Sequence, residues 1–352
     1  MTTPDREVID IRDDERIDTT RLEPWLRAFL PETAGDFTLA QFGGGHANLT
    51  YLVRFGETEY VLRRPPLGPV APSAHDMKRE HRVLDDLWRT FPLAPRSFVV
   101  CEDEDIIGAP FHVLERRNGI VVRRELPEDR AWPEDLLARM GTMLIDTLAD
   151  LHGVDPEEAG LGDLGRPDGF IERQLSGWTK RWRAAIHEDN PVMDSIIDWL
   201  HGCIPESQRA TLLHNDFKLD NMLLDADDPA VPRAVLDWDM CTRGDPLSDL
   251  GYVLTFWGQP DDDPKWILGA SMPTWNKGFP SREEVIERYA AKTGLDCTDV
   301  HWYQVFGVFK IAVILQQIYI RYLRGQTQDE RFAIFGDRIA GLTDKGRALS
   351  GL

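Results

Sequence analysis

Apolar positions along this 352-residue chain change their spacing near residue 118. Before that point, alternation dominates. FTLAQFGGGHANLTYLVRFGETEYVLRR alternates apolar with polar positions and is rich in β-branched and aromatic residues, the pattern of half-buried strands. Glycines 43–45 and Gly56 punctuate it as turns. FVVCED and FHVLER read as two further strands. Two helices interrupt them. Leu22, Trp25, Leu26, Phe29 and Leu30 share one face behind Thr19 or Thr20 as N-cap, and Met77, Leu84, Leu87, Trp88 and Phe91 share another behind Ser73. The proline-rich PPLGPVAP, 65–72, reads as a loop, and the polar residues 1–20 as a flexible extension.

Beyond Asn118 the chain reads as mainly helical. Leu137, Met140, Leu144, Leu148 and Leu151 recur at helical spacing through 133–152, and a second amphipathic stretch covers 170–187. The short runs TLLH, NMLLD and AVLDWD read as strands around a turn at 226–232. Helices resume from Leu250. Val305–Leu323 is the most apolar stretch, but it carries Lys310, Gln316, Gln317 and Arg321, which suits a core helix better than a membrane span. The expected class is α+β: an extension over 1–20, a small β-rich lobe over 21–117, and a larger helical lobe over 118–352.

Charge narrows the partners. Forty Lys and Arg against 60 Asp and Glu leave a net charge of −20. Such a surface repels nucleic acid and anionic membranes and tolerates a cationic ligand. Cys101, Cys203, Cys241 and Cys297 fit neither a disulfide framework nor a zinc site, and the acidic N-terminus has no apolar run of the signal-peptide kind. The expectation is a cytoplasmic protein. No P-loop, zincin or nucleophile-elbow motif occurs.

The segment with the sharpest chemistry is His214-Asn215-Asp216-Phe217-Lys218-Leu219-Asp220-Asn221, followed by Asp237-Trp238-Asp239. Phosphoryl transfer needs a carboxylate to take the acceptor's hydroxyl proton and oxygen ligands to hold magnesium against the phosphates. H-x-D-x-x-x-x-N supplies the carboxylate, Asp216, and an amide ligand, Asn221. The following strands return the chain with Asp237 as second ligand. His214 reads as a structural residue of the loop.

Several motifs together resemble the aminoglycoside phosphotransferase family of the protein-kinase-like fold: GGGHANLTYLV, YVLRRPP with SAHDMKREHRVL, GAPFHVLE, LADLHGVD, LLHNDFKLDN, VLDWDMCTRGDPLSDLGY and IAVILQQIYIRYL. Within it the chain is most similar to kinase-like domains associated with acyl-CoA dehydrogenases. The likeness spans 35–325 and implies two lobes holding ATP and Mg²⁺, with a hydroxyl-bearing small molecule as acceptor. It makes Asp216 the base, Lys218 a neutraliser of phosphate charge, and Asn221 and Asp237 the metal ligands. Gly43, Gly44, Gly45 and Asn48 form the phosphate turn. Arg63 stands where such enzymes carry a lysine, with Glu80 as its partner. The backbone from Leu114 through Glu115 to Arg117 faces adenine. Asp249 resembles an aspartate that steadies the catalytic loop. Two other readings accompany this one: a kinase of a hydroxyacyl-CoA or other hydroxylated metabolite, and a nucleotide-binding pseudokinase without turnover.

Overall fold

The computed structural model describes residues 8–43, 48–67, 76–268, 271–327 and 329–352. The chain divides into two compact units, Met1–Asn118 with Ala159–Leu161 and Ala234–Cys241, and the remainder.

The first unit is one antiparallel sheet with two helices. Its strands are β1 (Val8–Ile9), β2 (Phe37–Phe42), β3 (Leu49–Phe55), β4 (Thr58–Arg64), β5 (Ser97–Cys101) and β6 (Phe111–Glu115), in spatial order β1-β2-β3-β4-β6-β5. Tyr51, Val53 and Phe55 of β3, Leu62 of β4 and Phe111 and Val113 of β6 pack on Leu22 and Leu26 of α1 (Thr19–Phe29). The caps differ from the expected ones. Asp18, not Thr19 or Thr20, accepts the Thr20 N–H at the start of α1. Asp76 accepts the Arg79 N–H at the start of α2 (Met77–Leu87), while Ser73 lies outside the described residues. A carboxylate caps as well as a hydroxyl, and its charge also suits the helix N-terminus.

Residues 8–20 are not the flexible extension expected of them. Val8 and Ile9 pair with Phe42 and Gln41, and Ile11 and Ile17 pack on the core. The Arg12 N–H donates to Gln41 Oε1 at 3.0 Å, and the Tyr51 hydroxyl donates to Glu15 O at 2.7 Å. Four isolated apolar residues in an acidic background were too sparse to show periodicity, yet Ile11 and Ile17 pack on the core.

The second unit is mostly helical: α3 (Glu134–His152), α4 (Phe170–Ala185), α5 (Pro191–Gly202), α6 (Leu247–Phe256), α7 (Pro264–Leu268), α8 (Arg282–Thr293), α9 (Val300–Leu323) and α10 (Phe335–Ser350). Short strands β7 (Thr211–Leu213) and β10 (Thr242–Gly244) pair, as do β8 (Met222–Leu224) and β9 (Pro232–Val235). The apolar stretch of α9 is explained by burial: it packs between α6 and α10, and 72 % of its most apolar window is inside the fold. Gly251 of α6 and Gly307 of α9 permit a close crossing. A Cβ at Gly251 would fall 2.4 Å from the Tyr303 carbonyl carbon, and one at Gly307 equally near Thr255 Oγ1.

Candidate active site

In the first unit the chemistry gathers around a buried carboxylate. Glu80 sits on the inner face of α2, fully buried among Met77, Val83, Leu84 and Leu87. Arg63 on β4 bonds it through Nη1 and donates through Nη2 to Asp237 Oδ1 at 2.7 Å. Behind Glu80, His112 Nε2 of β6 lies 3.1 Å from Oε2. The Trp238 N–H donates to Oε1 at 3.2 Å. Burial opposes the charge on Glu80, but Arg63 and then His112 outweigh it and hold the carboxyl well below its ordinary range. Burial likewise opposes the Arg63 charge, and Glu80 and Asp237 reverse the balance, so the guanidinium stays protonated. Arginine suits this place because its fork reaches two carboxylates at once.

Asp237 has φ of +68°, a left-handed conformation uncommon for a residue with a Cβ. Strained backbone of this kind persists where surrounding structure holds it, and functional positions concentrate it. The turn residues are described in part. Gly43 packs against Ile9, whose side chain a Cβ would meet at 3.2 Å. Gly44 and Gly45 lie outside the described residues. Asn48 is 4 % exposed, and among the described residues neither end of its amide has a hydrogen-bond partner. At the end of β6, Glu115 and Arg117 are tied to one another at 2.9 Å, and the Glu115 N–H donates to Arg96 O at 2.8 Å. That N–H is therefore engaged within the sheet, and of the expected adenine-facing segment the backbone beyond Glu115 is what extends past it.

In the second unit the loop after β7 is built around Asp216. The Lys218 ammonium lies 2.9 Å from both carboxylate oxygens, and the Asn221 amide donates to Asp216 Oδ2 and to its backbone oxygen, each at 2.8 Å. Asn221 ends a single turn of 3₁₀ helix, Leu219–Asn221. The loop is clamped from α6. Asp249, buried, accepts the His214 N–H at 2.7 Å and the Asn215 N–H at 2.9 Å. Burial opposes its charge, but the His152 hydrogen bond and the other donors outweigh it and depress the carboxyl. The Tyr289 hydroxyl, 2.6 Å from His152 Nδ1, completes the support. His214 is itself fully buried, and its Nδ1 accepts the Asp216 N–H at 3.3 Å. Asn215 has φ of +65°, which explains an asparagine where a glycine also fits.

Sequence reasoning missed three partners that sit on strands or helices far along the chain. His112 was hidden in an apolar strand. Tyr252 of α6 is buried near Asp216, and burial first, then that carboxylate, keeps its phenol protonated. Lys310 of α9 is 7 % exposed. Its ammonium sits 4.9 Å from the Tyr252 ring centroid, 5.7 Å from that of Trp178 and 5.9 Å from that of Phe306. Each ring contributes about 0.5–2 kcal/mol. The i, i+3 relation of Asp249 to Tyr252, on one helix face, was the available signal.

The expected magnesium ligands are oxygen donors of the hard type that suits this cation: a carboxylate at Asp237 and an amide at Asn221. Asp237 has one oxygen engaged by Arg63, and among the described residues the other accepts no hydrogen bond. Asn221 directs Nδ2 to Asp216, so its Oδ1 faces elsewhere. Each donor, taken by itself, is of a chemical type that fits the ion.

A sheet unit with a buried Arg–Glu pair, and a helical unit with a clamped aspartate–lysine–asparagine loop, define a kinase-like phosphotransferase fold. The chain belongs to the phosphotransferase enzyme family, whose sequence profile it matches over residues 38–291. It is 33 % identical over 353 residues to acyl-CoA dehydrogenase family member 11 of Rattus norvegicus, a match covering 98 % of this chain and 45 % of that protein. It thus spans less than half the length of that relative. A protein of Ralstonia eutropha JMP134, provisionally assigned as an aminoglycoside phosphotransferase, superposes with a TM-score of 0.81 at 30 % identity, covering 96 % of this chain and 99 % of that one. An aminoglycoside phosphotransferase in ternary complex with ADP and hygromycin B shares the fold, with a TM-score of 0.57 at 18 % identity and coverage of 94 % and 98 %.

Proposed function

We propose that the protein transfers the γ-phosphoryl group of ATP, with Mg²⁺, to a hydroxyl of a small molecule. The observation that carries this reading is the Asp216 carboxylate, held by Lys218 and Asn221 on a loop whose backbone Asp249 fixes. A pure nucleotide binder has no need of a positioned base. Asn221 and Asp237 would hold the magnesium ion, which would supply charge neutralisation at the phosphates. Arg63 is charged and oriented by Glu80 and Asp237, which suits it to the α- and β-phosphates in place of a lysine. The Asn48 amide, which finds no partner among the described residues, offers a donor to a phosphate oxygen. Asp216 takes the acceptor's proton as its oxygen bonds to γ-phosphorus. The bond from γ-phosphorus to the bridging oxygen breaks, and ADP leaves with that oxygen. Lys218, beside Asp216, moves onto the transferring group as charge builds there.

Nucleotides bound to a fold relative support ATP as donor. Replacing Asp216 with Asn should lower ADP formation by about 10²–10⁴-fold, the usual contribution of a general base, while MgATP binding measured by calorimetry persists. Undiminished acceptor-dependent ADP release in D216N would refute the role. Cytoplasmic residence is part of the same proposal and rests on four cysteines, none of which forms a disulfide among the described residues.

A further inference from the structure

Glu80 has one carboxylate and meets two basic side chains. Arg63 on β4 and His112 on β6 are direct partners across the sheet, so their side chains stand on the same face of it. Arg63 takes Glu80 Oε1, and His112 Nε2 lies 3.1 Å from Oε2. Among the described residues neither Oε2 nor Nε2 has another partner, and Glu80 and His112 are both fully buried. Phosphoryl transfer as described uses Arg63 and Glu80 and leaves His112 without a task.

Behind His112 a line of hydrogen bonds runs outward. Its Nδ1 lies 3.3 Å from the Ser97 hydroxyl on β5, and that hydroxyl lies 2.8 Å from Nδ1 of His81, half-buried on α2. One hydroxyl has one proton to share between two ring nitrogens. With His112 neutral, Nε2–H faces the carboxylate and Nδ1 is bare. Ser97 then donates to His112 and accepts from His81 Nδ1–H. With His112 charged, Nδ1 is protonated as well, and Ser97 turns round to accept from His112 and donate to His81. Both arrangements satisfy all three groups, so His112 can change charge without orphaning a buried donor. A proton taken up at His81 Nε2 displaces one from Nδ1 to Ser97, and the Ser97 proton passes to His112 Nδ1. The other charged groups around this line are Asp85, one turn from His81 on α2, and Asp237 and Asp239, which act with Glu80 on Arg63.

Charge decides which arrangement a nucleotide favours. With His112 neutral, Arg63 is outnumbered by Glu80 and Asp237, and the cluster is anionic. With His112 charged it is neutral, and Glu80 is shared between two cations. Phosphates beside Arg63 therefore favour the charged state. We propose that His112 is a positioning residue for the nucleotide: it gains a proton as phosphates arrive at Arg63, draws on Glu80, and so loosens the guanidinium to turn onto the phosphates. This rests on the nucleotide half of the phosphotransferase reading and gives that site a linked proton. By reciprocity, nucleotide affinity falls as pH rises and His112 gives its proton up.

The test is calorimetric titration of the full chain with ADP in excess Mg²⁺, at pH 7, in PIPES, HEPES and Tris of matched ionic strength. The slope of observed heat against buffer ionisation enthalpy counts the linked protons. The wild type should take up a fraction of a proton, and its Kd should rise from pH 6 to pH 8, by at most about tenfold per pH unit for one proton. His112→Gln keeps an amide donor for Glu80 but cannot titrate, so both the uptake and the pH dependence of Kd should fall. Ser97→Ala leaves a charged His112 with an orphaned Nδ1–H, and uptake should fall there too. His81→Gln should keep it, which assigns the proton to His112 rather than to its neighbour. A merely structural His112 would shift Kd or Tm and leave the slope in place. The proposal is overturned if the wild type binds ADP with no linked proton, if H112Q takes up as much as the wild type, or if H81Q alone abolishes the uptake. Should H112Q fail to fold, S97A decides, and wild-type uptake in S97A overturns the proposal. ADP binding without a proton refutes the role of His112 alone, whereas absence of ADP binding refutes the nucleotide reading with it.

Discussion

Two residues with positive φ, Asn215 and Asp237, flank the chemistry in the two units, and neither is a glycine. At Asn215 the side chain is of the type that tolerates the left-handed region, and the Asp249 clamp holds the backbone there. Replacing Asn215 with Ala should destabilise the protein by about 1 kcal/mol more than replacing it with Gly, read as the difference in urea midpoints. Equal midpoints would mean that the loop relaxes out of this conformation. The polar types at these positions were legible in the sequence, and so was the catalytic loop, because its residues lie within eight positions of one another. His112, Tyr252 and Lys310 were not, because each reaches the chemistry through tertiary packing that no local spacing encodes.

At the scale of elements, the periodicity located β2 to β6 of the sheet and the helices α1 to α4. It missed β1, β10 and α5. β1 and β10 are two and three residues long, too short to show a period. α5 begins with Pro191 and was lost between two turn-rich segments, although Asn190 caps it by accepting the Met193 N–H. The pairing of α6 with α9 was also illegible, since both helices are apolar on nearly every face. Their crossing is what places Asp249, Tyr252 and Lys310 together. Gly251→Ala should therefore cost about 1–3 kcal/mol through overpacking against the Tyr303 backbone, and should lower turnover beyond what the loss of folded protein explains. Differential scanning calorimetry with specific activity per folded molecule checks both parts. An unchanged Tm would show that the helices separate without penalty.

For the whole molecule, a net charge of −20 sets how stability responds to acid. Falling pH first relieves self-repulsion and then removes carboxylates that the fold uses. Glu80 is the clearest of these. Its folded-state value is depressed from 4.5 to about 2, so its contribution is fully present above 4.5 and is lost as pH falls towards 2. Glu80→Gln should lower stability at pH 7 and flatten the loss between pH 4.5 and 2, followed by urea unfolding at each pH. A variant curve parallel to the wild type would remove Glu80 from the acid response.

The strand Val8–Ile9 lies along β2 beside Gly43. Without it, the outer row of β2 N–H and C=O groups at Gln41 and Phe42 would stand open, a template on which another chain can add itself. The amino-terminal residues thus serve as an edge guard. Proteolysis within them, or a fusion that pulls them off the sheet, would turn a closed rim into an adhesive one next to the loop assigned to phosphate.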